Sequence, residues 1–365
     1  CEGFTWSEAK IKKSFAEGLD VSAYNVLSYE MIYPEAFDGS FKAKILNSLC
    51  TIFLISLVAI SGKNIISVQN SFRKMEAPDL SKKIEPVFHL SKTGKNVIVL
   101  MQDRYFSPLI PKVLENNPQL KERLDGFVYY PNTVSFGKLT MIGTPGIFGG
   151  YDYTPFEMNR RTDKTLQQKH NEAILTMPIV FHQNNWNVTV ADLPYENYLE
   201  QPVTDMYKCY DFINRVTTHG AYSDIWYARH NMKKSPFMSE GIKRNFIWFS
   251  VLKIVPPFMR QIIYHKEYWI SYNKFENSAK FIDNYSEIDL FPELFDSSSE
   301  KNAFFLLDNE ANHESILLQA PDYVPVENVT DFGPGGKDRT YSSMVGILMR
   351  FADFVDFLKE NNLYD

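Results

Sequence analysis

Between Lys44 and Lys63 the chain runs Ile45-Leu-Asn-Ser-Leu-Cys-Thr-Ile-Phe-Leu-Ile-Ser-Leu-Val-Ala-Ile-Ser-Gly62, 18 residues without a charge. That length reaches the lower limit for crossing the hydrocarbon core of a bilayer, and uncharged runs of this length are unusual in soluble cores. The pattern predicts a transmembrane helix over 45–62, with a buried soluble helix as the alternative. Lys42 and Lys44 flank one end and Lys63, Arg73 and Lys74 the other, so the distribution of positive charge does not set its orientation. Residues 63–94 turn polar, with Pro78, Pro86 and several Lys and Glu, the composition of a stalk.

From Lys95 the pattern becomes that of an α/β domain. Asn96-Val-Ile-Val-Leu-Met101 and Ala303-Phe-Phe-Leu-Leu307 are short, continuous apolar runs, as expected of strands buried on both faces of a mostly parallel sheet. A helix is predicted from Pro108 to about Asn116, then a strand-like run Gly126-Phe-Val-Tyr-Tyr130 and a Gly-bearing turn over 135–140. Apolar positions at Ala173, Ile174, Met177, Ile179, Val180 and Phe181 predict a helix over 170–183, and Asn187-Val-Thr-Val-Ala191 reads as the strand after it. Val345, Leu348, Phe351, Phe354, Val355 and Leu358 form one helical stripe within 341–361. Helix and strand alternate as they do when helices cover both faces of a parallel sheet. The expected fold class is therefore α/β, a three-layer α/β/α domain over 95–365 that follows a flanking segment (1–44), a transmembrane helix and a stalk.

Residues 242–272 mix aromatic and basic side chains around Pro256-Pro257. A membrane-surface segment is one reading; an aromatic core and loop broken by the prolines is the other.

Composition narrows the function. The net charge of −6, with Lys and Arg scattered, offers no basic field for a nucleic-acid backbone. Cys1, Cys50 and Cys209 include no CxxC pair, so neither a disulfide framework nor a thiolate zinc site is expected and any metal falls to oxygen and nitrogen ligands. Asp103 follows a predicted strand, where open α/β sheets bind their ligands, although an Asp there also serves as a turn or capping residue. In residues 131–150 a strand gives way through Gly137 to a short helix or turn. A hydroxyl at such a helix start faces free N–H donors, which favour an alkoxide and an incoming phosphate or sulfate.

Asn96-Val-Ile-Val-Leu-Met-Gln-Asp103, Asn132-Thr-Val-Ser-Phe-Gly137 with Pro145 beyond it, and Phe304-Phe-Leu-Leu-Asp308 followed by Asn312-His313-Glu314 together resemble the alkaline phosphatase/sulfatase superfamily. The branch they are most similar to is that of the membrane-anchored lipoteichoic acid synthases and phosphoethanolamine transferases. The resemblance covers the front part of such a domain. It implies one or more divalent metal ions (Mn, Mg, Zn or Ca), with Asp103 as the first metal carboxylate and His313 as the histidine that contacts the transferred anion. The family's nucleophilic Thr also ligates the metal, but its slot, directly after the Gly, holds Lys138 here. A Lys ammonium cannot act as a metal-bound alkoxide. Either the helix starts later and Thr140 is nucleophile and metal ligand, or the fold persists with altered or lost chemistry and Lys138 binds an anionic group. The family's distal Asp-His-Gly is absent from the chain and is expected just past Asp365. The Cys- or Ser-x-Pro-x-Arg nucleophile motif of sulfatases is also absent.

The expected function is metal-dependent transfer or hydrolysis of a phospho- or sulfo-ester at the cell envelope. The preferred form is phosphoryl-alcohol transfer to or from a membrane lipid or envelope glycan, with the domain outside the cytoplasm and no nucleic-acid partner. The alternative is an inactive, sulfatase-like binding or scaffold domain.

Overall fold

The computed structural model describes residues 41–74, 83–199, 204–232, 248–249, 251–253, 255–264 and 277–364. Nearly all of the flanking segment expected at 1–44 lies outside them. The chain divides into two units, Cys1–Ala77 and Pro78–Asp365.

Of the first unit, the described part is one helix, α1 (Phe41–Lys74). Its stretch Lys44–Ser67 is long and apolar enough to cross a membrane, and none of it is buried within the protein. The hydroxyls of Ser48, Thr51 and Ser56 donate to the carbonyls of Lys44, Asn47 and Ile52 at 2.8–2.9 Å. Each polar side chain thus finds its partner on its own helix, as an apolar surround requires.

The second unit opens with β1 (Phe88–Ser91) and β2 (Asn96–Gln102), then α2 (Ile110–Asn116), α3 (Gln119–Arg123), α4 (Thr140–Gly149), α5 (Pro155–Arg160) and α6 (Leu166–Gln183). Next come β3 (Asn187–Ala191), β4 (Ile213–Val216), α7 (Ser223–Arg229), α8 (Pro257–Tyr264) and α9 (Asn277–Asp289). The described chain closes with α10 (Phe291–Leu294), β5 (Phe295–Ser299), β6 (Ala303–Asn309) and α11 (Arg339–Glu360). The unit is α/β, and among the described residues its strands pair in parallel, in a four-stranded sheet of order β2-β6-β3-β4 and a two-stranded one of β1 and β5.

Strand β6 explains the core. Every residue of it is buried, because β2 and β3 take its two edges while side chains alternate between two apolar clusters. Phe305 and Leu307 join Phe281 and Tyr285 of α9 and Val345 and Phe354 of α11. Phe304 and Leu306 point the other way, into the cluster of Ile174 and Leu175 from α6 and Phe148 from α4. Phe304 stacks on Phe181 with ring centroids 3.9 Å apart.

Several elements differ from their sequence-based expectation. The helix over the apolar run continues to Lys74. Within the polar stretch expected as a stalk, 84–91 belongs to the core: Phe88 and Leu90 are fully buried, and Phe88 stacks on Phe295 at 4.6 Å. Two apolar positions among charged residues were enough, because β5 supplied a partner far along the chain. Residues 126–130 form no strand; Phe127 instead packs edge-on against Phe351 of α11. His170 of α6 is fully buried against Tyr198, and burial pushes its imidazole down to about 4.

Phe304→Ala removes a ring from the layer between sheet and α6 and should cost about 3–5 kcal/mol, read as a lower midpoint in chemical denaturation at unchanged slope. Because His170 folds as a neutral ring with a lowered pKa, its contribution is full above about pH 6.5 and is lost as pH falls toward about 4. His170→Phe should therefore flatten the acid side of the stability profile.

Candidate functional site

The ends of β2 and β6 are held level by more than the strand ladder. Asp103 N–H donates to the Asn309 carbonyl at 3.0 Å, and Gln102 Nε2 donates to the same carbonyl at 2.8 Å and to Asn309 Oδ1 at 3.1 Å. Asp103 is thereby fixed at the carboxyl lip of the sheet, the edge at which parallel α/β folds bind ligands.

There it has two roles. Its Oδ1 accepts the N–H of Arg104 at 2.8 Å and supports a left-handed turn residue with φ of 53°. Its Oδ2 accepts the hydroxyl of Thr140 at 3.3 Å.

Thr140 is the first residue of α4. Leu139 before it is extended (φ −118°, ψ 141°), and no side chain caps the helix. The Leu139 carbonyl accepts the N–H groups of Ile142 and Gly143 at 2.9 and 3.0 Å, leaving those of Thr140 and Met141 at the helix start outside the helix's own bonding. Gly137 lets the preceding loop fold onto the helix, since a Cβ there would lie 2.4 Å from Cγ2 of Ile142. Ser135 Oγ is spent inside that loop, donating to the Gly137 carbonyl at 2.8 Å. Lys138 is exposed, precedes the helix by two residues, and makes no hydrogen bond or ion pair among the described residues.

His313 follows β6 in a short turn, Ala311–Glu314. Arg104 Nη1 donates to its carbonyl at 3.2 Å, and Asn312 Nδ2 donates to the Arg104 carbonyl. The loops after β2 and β6 are thus tied to each other. The Glu314 carboxylate beside the imidazole raises its pKa, and the charge of Asp103 adds to the effect against partial burial. Asp103 and Thr140 are in direct contact, and His313 is close enough to feel Asp103.

Sequence reasoning passed over the buried acids around this lip. Asp308, the sixth residue of β6, is only 2% exposed, and its Oδ1 has no hydrogen-bond partner. Burial drives its pKa well up, helped by the charges of Glu310, Asp103, Glu287 and Asp192. Glu287 of α9 is equally enclosed. Its Oε2 accepts from Asn309 Nδ2 at 2.9 Å while Oε1 is unpartnered, and burial pushes it up to about 8. Asp192, just past β3, gathers the N–H and hydroxyl of Thr218 at 2.6 Å and the N–H of His219 at 2.9 Å on one oxygen. The one sequence signal was an acid closing an otherwise unbroken apolar run at Asp308.

A hydroxyl, the Asp103 carboxylate and a nearby buried acid with an orphaned oxygen suit a hard, oxygen-seeking divalent ion in kind. They do not amount to a cage: among the described residues no three His, Cys, Asp or Glu side chains group so as to hold a metal. Comparison of the chain with protein-family models, with curated proteins and with solved structures found no match.

Glu287 folds with its pKa raised from 4.5 to about 8, so the folded state favours the neutral acid. Its contribution is whole below about pH 4.5 and is lost as pH rises toward 8. Glu287→Gln should match wild type near pH 4.5 and be the more stable protein by pH 8, by at most about 5 kcal/mol. Denaturant titrations across that range check this; an unchanged difference across the window would refute it.

Proposed function

We propose that the chain is a membrane-anchored, metal-dependent transferase of phosphoryl-alcohol groups, built on a three-layer α/β/α domain of the sulfatase-like kind and acting outside the cytoplasm on a membrane lipid or envelope glycan. The observation that carries the reading is the 3.3 Å contact between the Thr140 hydroxyl and Asp103 at the uncapped start of α4. Lys138 stands outside the helix, so Thr140 is the hydroxyl at the helix start, where the nucleophile belongs. Helices α6 and α11, contributing to apolar clusters on opposite faces of β6, support the layered fold.

In this mechanism Thr140 Oγ1 attacks the phosphorus as the ester bond to the departing alcohol breaks. Its proton passes to the departing alkoxide, and the phosphoryl-alcohol group stays esterified to Thr140 until an acceptor hydroxyl attacks the phosphorus, breaking the bond to Oγ1 and returning a proton to it. Asp103 orients the hydroxyl. The N–H groups of the first turn of α4 face the developing negative charge. His313, held cationic over a wider pH range by Glu314, contacts the transferred anion. A divalent ion held by Asp103 and Thr140 would supply the lowering of the hydroxyl pKa.

A second reading has one observation of its own. The exposed Lys138 amine, without an ion pair among the described residues, suits a domain that holds an anionic group without reacting.

Phosphodiester turnover under a divalent-metal titration separates the two. Thr140→Ala and Asp103→Ala should each cut metal-dependent turnover by on the order of a thousandfold, with Lys138→Ala retaining it. Metal-independent anion binding lost only in Lys138→Ala, with no turnover, would establish the binding domain instead. The imidazolium of His313 is present below its raised pKa and lost above it, so KM should climb at alkaline pH in wild type and lose that dependence in His313→Gln.

A further inference from the structure

Helix α8 is a second surface on which chemistry and exposure agree. Of its eight residues only Ile263 is buried, at 4% exposure. Phe258 and Ile262, one turn apart, are 78% and 64% exposed, and Met259 beside them is 39% exposed. On a helix these three lie within about 100° of arc, with Ile263 at one margin and Gln261 beside Phe258 at the other, while Arg260 lies on the opposite side. An exposed Phe–Ile pair at this spacing is a face that water does not favour.

The sequence around it indicates what would cover that face. Residues 242–272 carry five Lys or Arg against one Glu, in a chain whose net charge is −6. Eight of those 31 residues are aromatic, two of them Trp, about a quarter against 15% for the whole chain. Within the described part, Lys253 and Arg260 are exposed. Apolar side chains on one arc, basic residues around them and a local enrichment in aromatics describe a helix that lies in the interface of an anionic bilayer. An anionic headgroup layer complements such a positive island on an otherwise acidic chain. The same chain carries Lys44–Ser67, whose insertion would keep the second unit within reach of the membrane.

We infer that α8 is an interfacial membrane helix that inserts Phe258, Met259 and Ile262 among the headgroups and upper acyl chains of anionic lipid, with Arg260 and Lys253 paired to the headgroups. This rests on the proposed attachment of the chain through 44–67, and goes beyond it by giving the second unit a contact of its own with the bilayer. For an enzyme acting on lipid, such a contact limits how far the domain can turn from its substrate.

The test uses the full chain with Cys1, Cys50 and Cys209 replaced by Ser, reconstituted into vesicles of phosphatidylcholine alone or with phosphatidylglycerol. An environment-sensitive fluorophore is attached after Phe258→Cys, Ile262→Cys or, at an exposed position outside the helix, Glu300→Cys. In the phosphatidylglycerol vesicles, emission from positions 258 and 262 should shift to the blue and be quenched about twofold by lipids labelled at a shallow acyl depth, with position 300 unaffected. Adding Lys253→Gln and Arg260→Gln should abolish that quenching. Water-like emission at position 258 in protein that sediments with the vesicles overturns the inference and leaves the anchor standing. So does a blue shift without lipid quenching, which would mean that protein covers the face. A chain that sediments with neither vesicle overturns both readings.

Discussion

The parallel pairing of β6 with β2 and β3 is the constraint from which the rest of the second unit follows. Ala303 faces Asn96 on one side and Asn187 on the other, and the registers continue from there without a shift. All three strands therefore point their carboxyl ends the same way, and the loops that leave them converge. A central strand buried on both faces must be apolar for most of its length, which accounts for the run from Ala303 to Leu307. It also means that any polar residue placed before the strand ends is enclosed. Asp308 is that residue, and its burial among other acids follows from the register that makes the site.

Enclosing Asp308 and Glu287 runs against stability, because each must fold as the neutral acid or carry an uncompensated charge in an apolar surround. Around them the polar groups are tightly bound: Asn309 is shared between Gln102, Glu287 and the backbone of Asn284 and Ala311, and Asp192 closes the turn after β4. The orphaned carboxylate oxygens of Asp308 and Glu287 lie within this network together with the unpartnered Gln102 Oε1, and acids held this far from their ordinary pKa are candidates for function. The contact between Asp103 and Thr140 lies on the rim of that network. The proposed chemistry and the strained electrostatics thus occupy one edge of the sheet.

The strands whose surroundings are apolar on both faces were legible as continuous runs. β3 matched its sequence span, β2 and β6 began where expected and ran one or two residues longer, and α6 and α11 showed as stripes. Asp103 was singled out by its position after β2, and His313 only through the family resemblance. What went unread has a common cause. β4 is Ile-Asn-Arg-Val, too short and too polar to stand out. α9 mixes Asn, Ser, Lys and Glu with its buried Phe281 and Tyr285. β1 and β5 earn their structure from each other across about 200 residues. Conversely, Phe-Val-Tyr-Tyr at 127–130 looked like a strand because apolar composition alone does not tell whether an edge is available to pair with.

By itself, the sequence determined the apolar span at 45–62, the α/β alternation, the identity of the central strands and Asp103 as a candidate at the end of one of them, because hydrophobic periodicity reports directly on which sides of an element are buried. It left open whether a helix begins at Lys138 or Thr140, and beyond the apolar run that leads into Asp308 it gave no sign that Asp308 and Glu287 would be shut away from water. The tertiary structure decided both. A helix start depends on how the loop before it, through Gly137, packs back onto the helix, and the pKa of a carboxyl group depends on neighbours brought to it from β3, α9 and the turn after β6. Those are properties of distance in space, which residue order along a chain does not contain.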